Sequence, residues 1–249
     1  MKPRLRDYSI FNKFNFERKP VGVKFLILKP KGIQRLGKSL NICEMLKEAQ
    51  SSSPFYVTKE DFQCIEPMIL GMEDLEPVFV SGLVGEREGL YMEARANRKI
   101  YQYLPRLQKG SVRYVAFSPI DQLPFDPDVL VITANVSQAQ TILRALGYST
   151  GEMWSSKGTP VAMCAWIYIY PVISGELNFT ITGLGMGMQA LKVLPEGLFL
   201  ISIPWRLLPT IIESLQNMQW VNPMKGTRDE NRERAKRLFE ELRQELLND

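Results

Sequence analysis

Val129-Leu130-Val131-Ile132, then Asn135, then Ala139-Ile142-Leu143-Leu146 reads as a fully buried strand, a polar turn and a helix with apolar residues at i, i+3 and i+4 spacing. The pattern returns 69 positions later without a gap. Leu198-Phe199-Leu200-Ile201 falls on the strand and Leu208-Ile211-Ile212-Leu215 on the helix, with Ile132 on Ile201, Thr141 on Thr210, Ile142 on Ile211 and Leu146 on Leu215. Two like strand–helix units in a chain of alternating strand and helix signals predict an α/β (mixed α+β) domain with one mixed sheet and an internal pseudo-repeat. A common pattern favours a common packing solution, so the two units are expected in pseudo-equivalent places.

Working outward, residues 20–28 and 111–117 read as strands, and residues 77–84 read as a further one, followed by a helix over 86–104 that Pro105 ends. Ser39 is placed to cap a short helix with Leu40, Cys43 and Leu46 on one face. Thr58 and Asp61 have capping-box spacing and predict a second helix with Phe62, Ile65 and Ile69 inward and Cys64 near them. Trp166, Tyr168 and Tyr170 alternate with Ile167 and Ile169, a period of two that predicts an aromatic strand, with residues 177–182 as its partner. Thr227 and Glu230 cap a last, charged helix with one apolar stripe of Ala235, Leu238, Phe239, Leu242 and Leu246. The organisation expected is therefore a single α/β domain over residues 1–224, with a basic N-terminal segment, and an amphipathic helix over 225–249, whose residues 228–247 offer a surface to a protein partner.

Composition narrows the chemistry more than it names it. With 249 residues and 45% hydrophobic content the chain can bury one large core. It has no histidine, which removes the usual general base, the Ser/His and Cys/His nucleophile pairs and every His-containing metal site. Three widely spaced cysteines fit reduced thiols or thiolate ligands rather than a disulfide framework, and with no apolar leader the expected address is cytoplasmic. The longest apolar run, residues 161–173, is too short to cross a bilayer and contains Pro171, so no membrane association is expected. Residues 1–38 carry eleven Lys/Arg against Asp7 and Glu17. That basic segment lacks a nucleic-acid-binding motif and reads as a solvated face; nucleic acid is not an expected partner.

Between the two repeat units lie Cys164 and the cluster Gly183-Leu184-Gly185-Met186-Gly187-Met188, and any site is expected there. The glycines invite a phosphate-loop reading, but the third glycine of a dinucleotide fingerprint would fall on Met188, and no GxxxxGK[ST] run exists. A tight turn where two backbones pass closely, or an unspecialised small-ligand loop, fits the residues. Cys43, Cys64 and Cys164 are the other candidates: three convergent thiolates can hold a soft metal or an iron–sulfur cluster, while cysteine is also among the most buried residue types and can simply pack.

Lys19-Pro20-Val21-Gly22-Val23-Lys24-Phe25, Cys43 and Cys64, Leu104-Pro105-Arg106-Leu107 with Gly110, Phe117-Ser118-Pro119, Pro127-Asp128-Val129-Leu130, Asn135-x-x-Gln138-Ala139 and Tyr148-x-x-Gly151 stand in an ordered set over residues 8–218. That set resembles the bacterial and archaeal family called domain of unknown function 169. The resemblance implies cysteines at Cys43, Cys64 and Cys164, then a Cys-x-Gly-x-Arg motif nineteen residues on, which here keeps only Gly185, with Gly183 for the cysteine and Gly187 for the arginine. It also implies an Asn-Pro-x-Gln motif that keeps Asn135 and Gln138 but has Val136 for proline. The family brings no established activity. The expected function is thus an intracellular small-ligand or metal/iron–sulfur-binding redox-accessory protein, with Cys43, Cys64 and Cys164 as metal ligands and Asn135, Gln138, Gly183 and Gly185 toward the ligand. The competing expectation is a non-catalytic subunit or scaffold with structural cysteines. No reaction, and no catalytic residue, is assigned.

Overall fold

The computed structural model describes residues 7–221 and 226–248. By internal contacts the chain divides into two compact units, Met1–Gln216 and Asn217–Asp249. The boundary expected at 224/225 and the basic residues Lys2, Arg4 and Arg6 lie outside the described residues. The larger unit holds seven described strands: β1 (Val21–Leu26), β2 (Gln34–Arg35), β3 (Phe55–Val57), β4 (Tyr114–Pro119), β5 (Val129–Ala134), β6 (Asn178–Ile181) and β7 (Phe199–Pro204). They form one sheet in the order β2-β3-β4-β1-β5-β7-β6. Only β2 and β3 run parallel; the other pairs are antiparallel, so the sheet is mixed. The helices are α1 (Ile42–Ala49), α2 (Glu66–Ile69), α3 (Pro77–Val80), α4 (Leu83–Arg87), α5 (Ala94–Tyr103), α6 (Val136–Thr150), α7 (Tyr170–Ser174), α8 (Met186–Ala190), α9 (Leu208–Asn217) and α10 (Arg228–Asn248). No helix among the described residues is long and apolar enough to cross a membrane.

The pseudo-repeat is a structural fact. Both copies are strand followed by helix, β5–α6 and β7–α9, and the two strands are antiparallel neighbours in the middle of the sheet. Ile132 pairs with Ile201, the residue it matches in the repeat, and Val131 pairs with Ser202 as Leu200 pairs with Thr133. Exchanging the copies therefore maps the ladder onto itself, which is the signature of a local two-fold axis through the Ile132–Ile201 pair. Each repeated strand also has one antiparallel outer neighbour, β1 beside β5 and β6 beside β7. A two-fold normal to the sheet puts α6 and α9 on the same face. Their side chains meet there, with Ser149 Oγ and Ser214 Oγ 3.1 Å apart.

Every residue of β5 is buried, so the strand has a core on each side. Val21, Val23, Val129, Val131 and Leu200 join one apolar cluster with Ile42, Met45 and Leu46 of α1 and the segment from Val161 to Tyr170. The alternate residues Leu130, Ile132, Ile201 and Ile203 are equally buried and face the layer of α6 and α9. Asn135 and Gln138 start α6 as a reciprocal capping box, each side chain accepting the other's backbone N–H at 2.9 Å, and Gln138 Nε2 also donates to Phe14 O at 3.0 Å.

Several local expectations fail for physical reasons. The aromatic segment is not a strand: Ala165–Ile169 is a π-helical turn that runs into α7, and its five residues are all buried. Period two meant a strand only if one face were exposed. Pro171 offers no N–H to the turn before it and crowds the carbonyl four residues back, which opens the helix there. Residues 77–84 form α3 and α4 with Pro77 at a helix start, and the helix expected over 86–104 is broken into α4 and α5. Asn41 rather than Ser39 caps α1, in a box with Glu44. Thr58 and Asp61 do form a box, but it opens only a 3-10 turn (Lys59–Asp61), and Cys64 is exposed between that turn and α2. Here Asp61 accepts from Thr58 N at 2.7 Å and from Arg35 Nε and Nη2 at 2.9 and 2.8 Å, tying β2 to the turn.

The smaller unit contains α10, continuous over 21 residues and started by Thr227 and Glu230, with Thr227 N donating to Glu230 Oε2 at 2.7 Å and Glu230 N to Thr227 Oγ1 at 3.2 Å. Leu238, Phe239, Leu242 and Leu246 on its stripe are exposed in the single chain.

Candidate functional site

Three stretches that are distant in sequence meet on the α1 side of the sheet. The first turn of α1 brings Asn41 and Cys43, the approach to α2 brings Gln63, Cys64 and Glu66, and the segment before the π-turn brings Val161, Met163 and Cys164. Together with Phe79, Val84, Tyr101 and the loop from Gly185 to Met188 they enclose a pocket of about 300 Å³. Cys64 is exposed, Cys43 half-buried and Cys164 buried.

Backbone detail explains the enclosure. Gly183 takes φ +85°, closed to most side chains, and turns the chain after β6. Gly185 passes so close to the preceding segment that an added Cβ would lie 2.9 Å from Met163 Cβ, and Met186 N donates to Pro160 O at 2.9 Å. The glycine cluster is thus a tight turn where two backbones touch, and one wall of the pocket. Ala162, also in the wall, sits at φ +53°, a costly conformation for a residue with a Cβ.

Glu66 stands in no motif that would have selected it. Its side chain is 2% exposed; Oε1 accepts from Ile42 N at 3.1 Å, at the start of α1, while Oε2 finds no hydrogen-bond partner among the described residues. Burial raises its pKa, outweighing the backbone donors that favour the carboxylate. Burial likewise pushes the Cys43 thiol up to about 12, helped by the negative charge of Glu66, Cys64 and Glu44. Cys64 is raised by burial and then by Glu66, and Cys164 well above the usual thiol range by burial and then by Glu66, Cys43 and Cys64. Tyr101 and Tyr168 are raised by burial too, and neither hydroxyl has a hydrogen-bond partner among the described residues.

The pocket therefore gathers acids whose charged forms are disfavoured, first by burial and then by one another, with no Lys or Arg among its lining residues. Burial and the neighbouring acids oppose a thiolate at all three sulfurs, and no cation lines the pocket to offset them. The thiols meet in one pocket, but among the described residues no group of three or more Cys, Asp, Glu or His side chains is disposed to hold a metal ion. As placed, the residues do not fit a metal or cluster. Of the other ligand candidates, Gly185 lines the pocket, whereas Gly183 lines a separate depression with Arg18, Lys47 and Lys192. Asn135 and Gln138 are occupied as the cap of α6 and line neither.

The family model for domain of unknown function 169, described as "Uncharacterised ArCR", matches residues 9–214. The chain belongs to that family. No curated protein and no solved structure matches it. Several of the residues that carry the domain-169 resemblance turn out to hold the fold. Leu107 N donates to Ile69 O at 2.9 Å and Gly110 N to Gly71 O at 2.8 Å, which fixes the end of α2; Asp128 Oδ2 accepts from Phe25 N at 2.7 Å, which locks β1 to the start of β5. The three cysteines and Gly185 are the domain-169 residues that reach the pocket.

Proposed function

We propose that this protein binds a small ligand and that the ligand occupies the thiol-lined pocket. One observation carries the reading: Cys43, Cys64 and Cys164, separated by 21 and 100 positions, line the same enclosed space together with a buried carboxyl. Hydrophobic packing has no need to gather all three thiols and to leave Glu66 Oε2 without a partner. The mostly apolar walls and a few convergent polar groups match the general build of small-ligand sites.

Gly187 supplies the test, because a Cβ added there meets nothing within 4 Å and the residue lines the pocket. Gly187→Leu should fill the space while leaving the fold intact. Protein purified anaerobically and examined intact by native mass spectrometry is expected to carry a bound small molecule that Gly187→Leu lacks. Identical masses without added ligand in both proteins, at equal melting temperature, would sink the reading. Metal and sulfide analysis of the same sample addresses the thiolate-metal alternative: iron or zinc near one equivalent, lost in Cys64→Ser, would replace the organic ligand with a metal.

A second reading, a subunit that recruits a protein partner through residues 228–247, is favoured by the exposed Leu238, Phe239, Leu242 and Leu246 of α10. Its test is retention of a binding partner by the full chain and loss of it in Leu238→Glu/Leu242→Glu.

A further inference from the structure

We infer that the pocket takes a small organic cation, an amine on an apolar body, and that the unpartnered Oε2 of Glu66 is its anchor. The inference rests on the reading of the pocket as a ligand site and adds the chemical class of what enters it.

The walls set the sign of the charge. Glu66, Cys43, Cys64 and Cys164 can carry only negative charge, and the pocket lining contains no Lys or Arg to offset it. An anionic ligand would find no counter-charge in a space of low polarity, where an unpaired charge is expensive. A cation gives the buried carboxyl the opposite charge that favours its ionised form and supplies the donor that Oε2 lacks.

The carboxyl is also held ready. Glu66 Oε1 is fixed by Ile42 N at 3.1 Å, and Glu66 is the first residue of α2, so the side chain spans from α2 to the first turn of α1. Little conformational freedom is left to lose when a ligand arrives, which favours affinity. An ammonium has three N–H donors, one for Oε2 and others for weak acceptors such as the sulfurs of Cys43 and Cys164. The rest of the wall is apolar or soft: Ile65, Phe79, Val84, Val161, Met163 and Met188. Aromatic faces and thioethers tolerate an adjacent cation while solvating a hydrocarbon body. A volume of about 300 Å³ limits the ligand to the small end of the usual range.

The experiment compares three probes of equal chain length, n-hexylamine, n-hexanol and hexanoate, by calorimetric titration at one neutral pH. Hexylamine is expected to bind about tenfold or more tighter than hexanol, with hexanoate weakest, and Glu66→Gln is expected to bring the amine-to-alcohol affinity ratio down to about one. Gly187→Leu should weaken all three. A second measurement needs no variant: hexylamine should slow alkylation of Cys64 by iodoacetamide in the wild-type protein, and hexanoate should not. Equal binding of amine and alcohol, or an amine preference that survives Glu66→Gln, overturns the cation inference while the pocket reading stands. No binding by any probe together with unprotected Cys64 overturns both.

Discussion

The two faces of the sheet are built on different rules. On one, α6 and α9 repeat a single solution about a local two-fold, with a reciprocal cap at the start of α6. On the other, α1 is eight residues long, α2 four and α8 five, joined by a π-turn and a glycine loop, and buried polar atoms of Glu66, Tyr101 and Tyr168 have no partner among the described residues. Regular helices bury a continuous stripe and leave no space between them. Short pieces that meet at their ends cannot close up, and the space they leave is the pocket. The difference teaches that the repeated face closes its core while the irregular face leaves polar groups without partners around a pocket.

The strongest way to break this comparison is to cut at the symmetric pair. Ile132 and Ile201 are both fully buried, so Ile132→Ala and Ile201→Ala should each lose about 2–5 kcal/mol in denaturant unfolding. The two effects should be similar to each other, and losses differing several-fold would show that the axis is geometric only. Asp61→Ala comes next, at the edge of the irregular face, with an expected loss of about 2 kcal/mol, since it removes charge-assisted bonds to Arg35 and the cap on Thr58 N.

Asp61 also gives a pH test. Burial opposes its ionisation, but the hydrogen bonds from Arg35 and Thr58 outweigh it and lower the folded pKa. Its contribution is therefore complete above the unfolded value of about 3.9 and is lost as pH falls through the lower folded value. Asp61→Asn should flatten the stability profile below about pH 4; an unchanged acid limb would contradict the assignment.

Smaller effects of opposite sign sharpen the contrast between the faces. Asn135→Ala on the regular face should cost about 1 kcal/mol, because the N–H of Gln138 loses its acceptor. Tyr168→Phe on the irregular face should stabilise by a fraction of that, about 0.5 kcal/mol, because its buried hydroxyl has no partner among the described residues. Thermal denaturation of both variants under one buffer decides the matter, and a destabilised Tyr168→Phe would mean that the hydroxyl is satisfied after all.

What could be read without coordinates follows the same division. Apolar periodicity, the polar turn at Asn135 and the 69-residue offset identified β5–α6 and β7–α9, since there the local signal and the final packing agree. Residues 165–170 read as a strand because they are buried all round, whereas 77–84, largely exposed, are an apolar run too short for its period to separate strand from the Pro77-started helical turns. Once no face is wet, alternation no longer distinguishes a strand from a helix. The thiols were legible as candidates, but Glu66 was not: a glutamate two residues after Cys64 looks like any surface acid until α1 is folded over it.

The sequence alone determined the mixed sheet, the repeat, the last helix, the family and the absence of histidine chemistry, because each is written in the spacing or identity of residues near one another in the chain. Tertiary structure alone decided that Cys43, Cys64, Cys164 and Glu66 share one pocket, that Gly183 faces elsewhere, and that Asn135 and Gln138 are spent on a helix cap. Burial and the resulting pKa shifts depend on what the rest of the chain places around a group, and no local pattern encodes which distant segment will remove it from water.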